Sequence, residues 1–229
     1  MRKIIITVLC CLGLFATIPA AHAAVVSTVD PVVIAVQKRY AAIKSMRAEF
    51  MQTLIHKESG NKETRTGVLY FAKPLLVRWE TKTPIPELLL VTKEAVWNAF
   101  PDEDMAYKYP PELSAESSGI MQVVTGQGDW AKEFDIENKG TEKGMTRLVL
   151  YPKNPTQSMT EAELLAETKT GRITYVCITD FYYNRNEITF TSQEFDQGVA
   201  ADTFTFTPPK GMKVEDRTKG GAQGKPLLQ

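Results

Sequence analysis

The chain has 229 residues, 43% of them hydrophobic, and balances 27 Lys and Arg against 27 Asp and Glu for a formal net charge of zero. Such a balance gives no bulk attraction for nucleic acid or an anionic membrane. Two histidines and three cysteines also leave a thin inventory for nucleophilic or zinc chemistry.

At the N-terminus Arg2 and Lys3 precede an apolar run from Ile4 to Ile18, and the small-residue stretch Ala21-His22-Ala23 follows. The apolar core, on the order of 15 residues, is shorter than the ~20 of a membrane span, so residues 1–23 read as a signal peptide cleaved after Ala23. Cys10 and Cys11 lie inside that core, away from the cleavage site, which argues against lipidation. The mature chain of about 206 residues is expected to be exported and to form a single domain over 24–215. It keeps only His56 and Cys177, so no internal disulfide can form. Cys177, mid-strand in "ITYVCITDF", reads as a small buried apolar residue.

Asp30-Pro31 supplies a helix N-cap and first-turn proline, and Val32, Val36, Tyr40 and Ile43 follow at helical spacing, predicting an amphipathic helix over roughly 30–45. Short runs rich in Val, Leu, Tyr, Phe, Trp and Thr then recur between turn residues, as in an antiparallel meander. Among them "FAKPLLVRWE" (71–80) reads as a strand interrupted at Lys73-Pro74, with Val77 and Trp79 on one face and Arg78 and Glu80 turned to water. Residues 110–130 break the β pattern. Leu113, Ile120, Met121 and Val124 fall on one helical face there, although Ser114, Ser117, Ser118 and Gly119 weaken the helix, and either a packed helix or a loop could move. Strands resume at Phe134 and run to "RITYVCITDFYY" and "EITFTSQEF", with "KTGR" a hairpin turn. Residues 216–229 are polar and predicted disordered.

The expected fold is mainly β with α: a half-open, strongly curved antiparallel β-barrel of about ten to eleven strands, covered by a lid of short α-helices. A flat sheet of that size would expose a wide apolar face, and a helical cover over a curled one can enclose a cavity.

Chemistry-bearing residues are sparse. His56 in "LIHKESG" reads as a solvated turn residue, and "PDEDMA" lacks the glycine and distal Glu of a calcium loop. "TGQGDW" lacks the ending of a phosphate loop. Glu80 and Glu87 are conceivable as a glycosidase carboxylate pair only if the fold brings them together. What the chain has in excess is apolar strand residues. Phe71, Val77, Trp79, Leu89, Val91, Trp97 and Phe100, if convergent on one concave surface, would line it for acyl chains or aromatic ligands, or simply form a core.

Four stretches in order, "YAAIKSMRAEFMQT" (40–53), "GVLYFAKPLLVRWE" (67–80), "ELLLVTKEAVWNAFP" (87–101) and "FTFTPPKGMKVED" (204–216), resemble the outer-membrane lipoprotein carrier family, LolA, of the Gram-negative periplasm. The resemblance spans about residues 30–216. It implies a non-enzymatic periplasmic chaperone without cofactor or metal that binds the acyl chains of lipoproteins. It further implies a monomer that receives cargo from an inner-membrane ABC transporter and passes it to an outer-membrane acceptor where one exists. Residues 111–124 would be the lid, with Leu113, Ile120, Met121 and Val124 joining the cavity lining. Lys73 would be the latch that holds carbonyls of the lid, at a position where the family usually has Arg, whose planar fork reaches several carbonyls at once. Trp79 and Trp97 match the family's two strand tryptophans, while its frequent Asp-Gly hairpin is replaced by Thr92-Lys93-Glu94. The alternative from another class is a periplasmic regulator of similar half-barrel fold that senses lipid or lipoprotein.

Overall fold

The N-terminal helix α1 spans Pro31–Ala42, with Asp30 capping it by accepting from the Val32 amide at 2.7 Å and Ile43 leaving it in extended conformation. It is slightly shorter than the predicted 30–45. The computed structural model describes residues 30–112, 118–126 and 128–218. The signal peptide and Leu113 lie outside the described residues.

After α1 come β1 (Ser45–Ile55), β2 (Lys62–Ala72), β3 (Leu76–Thr83), β4 (Glu87–Val91), β5 (Val96–Phe100) and β6 (Met105–Tyr109). Two helices follow, α2 (Ser118–Thr125) and α3 (Trp130–Glu133). The chain then forms β7 (Phe134–Glu142), β8 (Met145–Pro152), β9 (Glu161–Glu167), β10 (Ile173–Thr179), β11 (Arg185–Phe195) and β12 (Lys213–Asp216).

All twelve strands join one sheet in the order β12-β6-β5-β4-β3-β2-β1-β11-β10-β9-β8-β7. Two antiparallel meanders are thus fused where β1 pairs with β11, Phe50 opposite Phe190. The strand count exceeds the expected ten to eleven by β12, a four-residue strand that runs parallel to β6 and shields its edge. Three further departures have local causes. Lys73-Pro74 is not an interruption within one strand but the turn between β2 and β3, consistent with a proline that has no ladder donor to offer. The aromatic run Phe181-Tyr182-Tyr183, predicted as strand, forms the β10–β11 hairpin tip because Asp180 caps it with side-chain acceptors. Residues 216–218, placed in the disordered tail, are ordered: the Arg217 amide donates to the Lys108 carbonyl at 2.8 Å and its guanidinium lies over Tyr107.

Strand alternation sorts the side chains onto two faces. On β1 the buried Met46, Ala48, Phe50 and Gln52 point inward while Arg47, Glu49 and Met51 point out. The inward faces of both meanders and the apolar faces of α1, α2 and α3 merge into one core, which requires the sheet to curl around the helices. A smaller cluster on the convex face, built on Leu88, Leu90, Ala99 and Ala106, is covered by the C-terminal segment through Phe204 and Phe206.

Candidate functional site

The concave face of β1 to β5 is laid out in cross-strand rows. Met46, Phe71, Val77, Val91 and Val96 are successive partners in one row, and Ala48, Leu69, Trp79, Leu89 and Asn98 in the next. Five of the sequence-predicted lining residues, Phe71, Val77, Trp79, Leu89 and Val91, therefore lie side by side, all buried. Gly67 makes this possible on the neighbouring row. A Cβ there would sit 2.0 Å from the Glu80 carbonyl oxygen and 2.6 Å from the Phe50 ring, so only glycine lets that ring stack on Trp79 at 4.3 Å between centroids.

Met121, Val123 and Val124 of α2 are buried in the same core, so two of the predicted lid residues share it with the lining residues, while α2 itself packs chiefly against β10. Ile120 falls within α2, but its side chain lies outside the described residues. Trp97 does not join them. It alternates to the convex face, where it packs on Phe206 with ring centroids 5.3 Å apart, because its inward neighbours in strand phase are Val96 and Asn98. Phe100 is half-buried at the end of β5, near Tyr107.

Toward the β1–β2 turn the concave face becomes polar. Gln52, Arg65, Thr81 and Glu87, with Trp79 and Leu89, surround a cavity of about 10 Å³. Arg65 bonds Glu63 at 2.7 Å and reaches Glu87 at 3.4 Å. Two buried oxygens have no hydrogen-bond partner among the described residues: Gln52 Oε1, whose Nε2 donates to Asn186, and Asn98 Oδ1. Both residues were missed in the sequence. The available signal is strand phase: Asn98 is two residues from the buried Val96 and shares its face, which makes it a polar residue at an inward position.

Glu80 and Glu87 do not form a carboxylate pair. Glu80 is on the convex face, bonded to Arg78 at 2.6 Å, whereas Glu87 faces Arg65 on the other side. Arg78 is not turned to open water either; it also donates to the Thr203 and Thr205 carbonyls of the covering segment at 3.2 Å. His56 is an exposed turn residue. Cys177 is buried, and burial pushes its thiol pKa up.

The Lys73 ammonium donates to the Ala41 carbonyl in the last turn of α1 at 2.6 Å, and the Lys73 amide donates to the Lys44 carbonyl at 2.9 Å. Among the described residues the Lys73 ammonium thus bonds α1 rather than the expected lid segment, at a place where a cation also suits the negative end of the helix dipole. Beside it Asp196 accepts from the Lys44 and Ser45 amides at 2.6 and 3.0 Å, bonds that hold its carboxyl pKa down.

α1 is fixed at several further points. Tyr40 accepts from the Ile173 amide through its hydroxyl at 3.2 Å, and burial pushes its pKa up to about 12. Gly126, in left-handed conformation at φ 64°, ends α2 against the Tyr40 ring; a Cβ there would lie 2.3 Å from it. Gln37 donates to the Gly128 carbonyl at 2.9 Å. The two helices therefore close the concave face as a connected pair.

The model of the family "Outer membrane lipoprotein carrier protein LolA" matches residues 41–207. An outer-membrane lipoprotein carrier protein of Cupriavidus necator is 28% identical over 218 residues, covering 93% of this chain and 98% of its own length. One from Dechloromonas aromatica is 24% identical over 172 residues, covering 75% and 81%. Among solved structures, an uncharacterized conserved protein of Thermus thermophilus superposes with a TM-score of 0.53 at 15% identity, over 81% of this chain and 97% of its own, a likeness of fold. The match over most of the chain, on a curled sheet closed by short helices, places this protein in the outer-membrane lipoprotein carrier family, LolA.

Proposed function

We propose that this chain is a periplasmic carrier that takes the acyl chains of lipoproteins onto the concave face of β1 to β5 and ferries them from the inner to the outer membrane. The observation that carries this reading is the pair of contiguous apolar rows, including Phe71, Val77, Val91, Trp79 and Leu89, closed by helices rather than by more sheet. A triacylated cysteine cannot cross an aqueous gap unaided, since each exposed CH₂ costs ~0.8 kcal/mol. Family membership and the names of relatives that align along nearly the whole chain support the same reading.

In the structure the lining residues are already buried, in one core with Met121, Val123 and Val124. Acyl chains enter by displacing these side chains, so cargo is exchanged against lid contacts rather than added to an empty hole. That exchange keeps net affinity below the full transfer energy and makes release possible. α2 suits such a displacement, because eight residues give marginal intrinsic helicity and its position depends on packing. Lys73 acts as a latch on α1. No catalytic step is involved. The signal peptide is removed after Ala23, residues 24–215 form the single carrier domain, and the carrier works as a monomer. An inner-membrane ABC transporter loads it and an outer-membrane acceptor, where present, unloads it.

The test is to isolate the protein from the periplasm with downstream transfer blocked and identify bound material by mass spectrometry. Acylated N-terminal peptides are expected, and Val77→Glu, which puts a charge at the centre of the apolar row, should reduce them at least about tenfold. Absence of acylated peptides from a folded wild-type protein overturns the reading.

A further inference from the structure

We infer that the β10–β11 hairpin tip is a membrane-contact device that inserts shallowly into the headgroup region of a phospholipid bilayer. Its residues Phe181, Tyr182 and Tyr183 are consecutive and 61%, 64% and 69% exposed. Exposed aromatics on a loop usually signal a floppy segment, but this tip is held from all sides. The Asp180 carboxylate accepts from the Tyr182 and Asn184 amides at 2.8 Å each, and its other oxygen accepts from the Asn184 side chain at 2.8 Å. The Tyr183 amide donates to the Asp180 carbonyl at 3.0 Å, and the Phe181 amide to the Gln157 carbonyl at 3.0 Å. Asn184 in turn accepts from the Lys57 amide of the β1–β2 turn at 3.0 Å.

Every backbone N–H from Phe181 to Asn184 is therefore bonded within the protein. That matters at a bilayer, because a loop entering the interface with free donors loses their water without replacement. The side chains fit the same place: a phenyl ring to bury and two phenols whose hydroxyls stay at headgroup level, with Lys57 on the adjoining turn available to lipid phosphates. A protein partner is the weaker occupant. Three aromatic side chains about two-thirds exposed offer roughly 400 Å², about half of the ~800 Å² per partner of a specific protein interface. Tyr183 adopts a left-handed φ of 62°, which a large side chain rarely takes and which turns the third ring outward with the other two. This inference stands on the hairpin alone and does not depend on the identity of the cargo.

The experiment is co-sedimentation of the full secreted protein with vesicles of phosphatidylethanolamine and phosphatidylglycerol. The variant Phe181→Ser/Tyr182→Ser/Tyr183→Asn should lose at least about fivefold of the bound fraction while keeping the wild-type melting temperature, since the three side chains are exposed. Leu75→Ser, which removes an exposed apolar side chain from the β2–β3 turn at the opposite end of the strands, should bind as wild type. Equal binding by the triple variant overturns the inference. So does failure of the wild type to bind vesicles, and a photoreactive residue at position 182 that then cross-links an envelope protein would assign the tip to a protein contact instead.

Discussion

Lys73 shows how one side chain can tie a turn to a helix. Its ammonium reaches a single carbonyl, Ala41, whereas an arginine there could engage more than one acceptor at the end of α1. Lys73→Met should cost about 1 kcal/mol and speed amide hydrogen exchange in the C-terminal half of α1, while Lys73→Arg should leave exchange equal or slower. Unchanged exchange in Lys73→Met would remove the latch. Asn98 is the opposite case, an amide oxygen buried without a donor among the described residues. Asn98→Leu, of similar size, should raise stability by about 1–3 kcal/mol, a rise in melting temperature of several degrees for a domain of this length. A lower melting temperature would mean that the amide is satisfied in solution. Lys73 was legible as an interruption of pattern, but its partner was not, since a contact between residues 32 positions apart has no local signature.

At the scale of elements, the sheet was the most legible part. Runs of β-forming residues between turn residues mark most of β1 to β11, with clear period-two alternation on β1, β3 and β9, and the helical spacing from Asp30 to Tyr40 marks α1. The misses share a physical cause. β12 is four residues long and owes its existence to the edge of β6, and "DFYY" has strand composition but is overruled by the Asp180 cap. Trp97 was placed on the wrong face because composition singles out a tryptophan, whereas only the register of "AVWNAF" decides which way it turns. The junction between α1 and α2 rests on Gly126, which combines a left-handed backbone with contact on the Tyr40 ring. Gly126→Ala should therefore destabilise by about 2–4 kcal/mol, the sum of backbone strain and overpacking. Gly60→Ala, also at positive φ but with open space around it, should cost only the strain, about 1 kcal/mol. Equal losses by thermal denaturation would contradict the close packing of the two helices.

Over the whole molecule, one curled sheet presents two unlike surfaces. The concave one is apolar in its middle, polar at one end and closed by α1 and α2; the convex one carries a small core sealed by the C-terminal segment. Fold and carrier family were readable from the order of four sequence stretches. The polar end of the concave face was not, since Gln52, Arg65, Thr81 and Glu87 come from four different strands and meet only when the sheet is registered. The central claim is that acyl chains occupy the concave face and not the convex one. Trp79 and Trp97 lie on neighbouring rows but opposite faces, so a photoreactive phenylalanine analogue placed at either position reports on one face alone. Irradiation of the loaded carrier should yield an adduct with an acylated peptide at position 79 and none at 97; an adduct at 97 without one at 79 would contradict the assignment of the cargo surface.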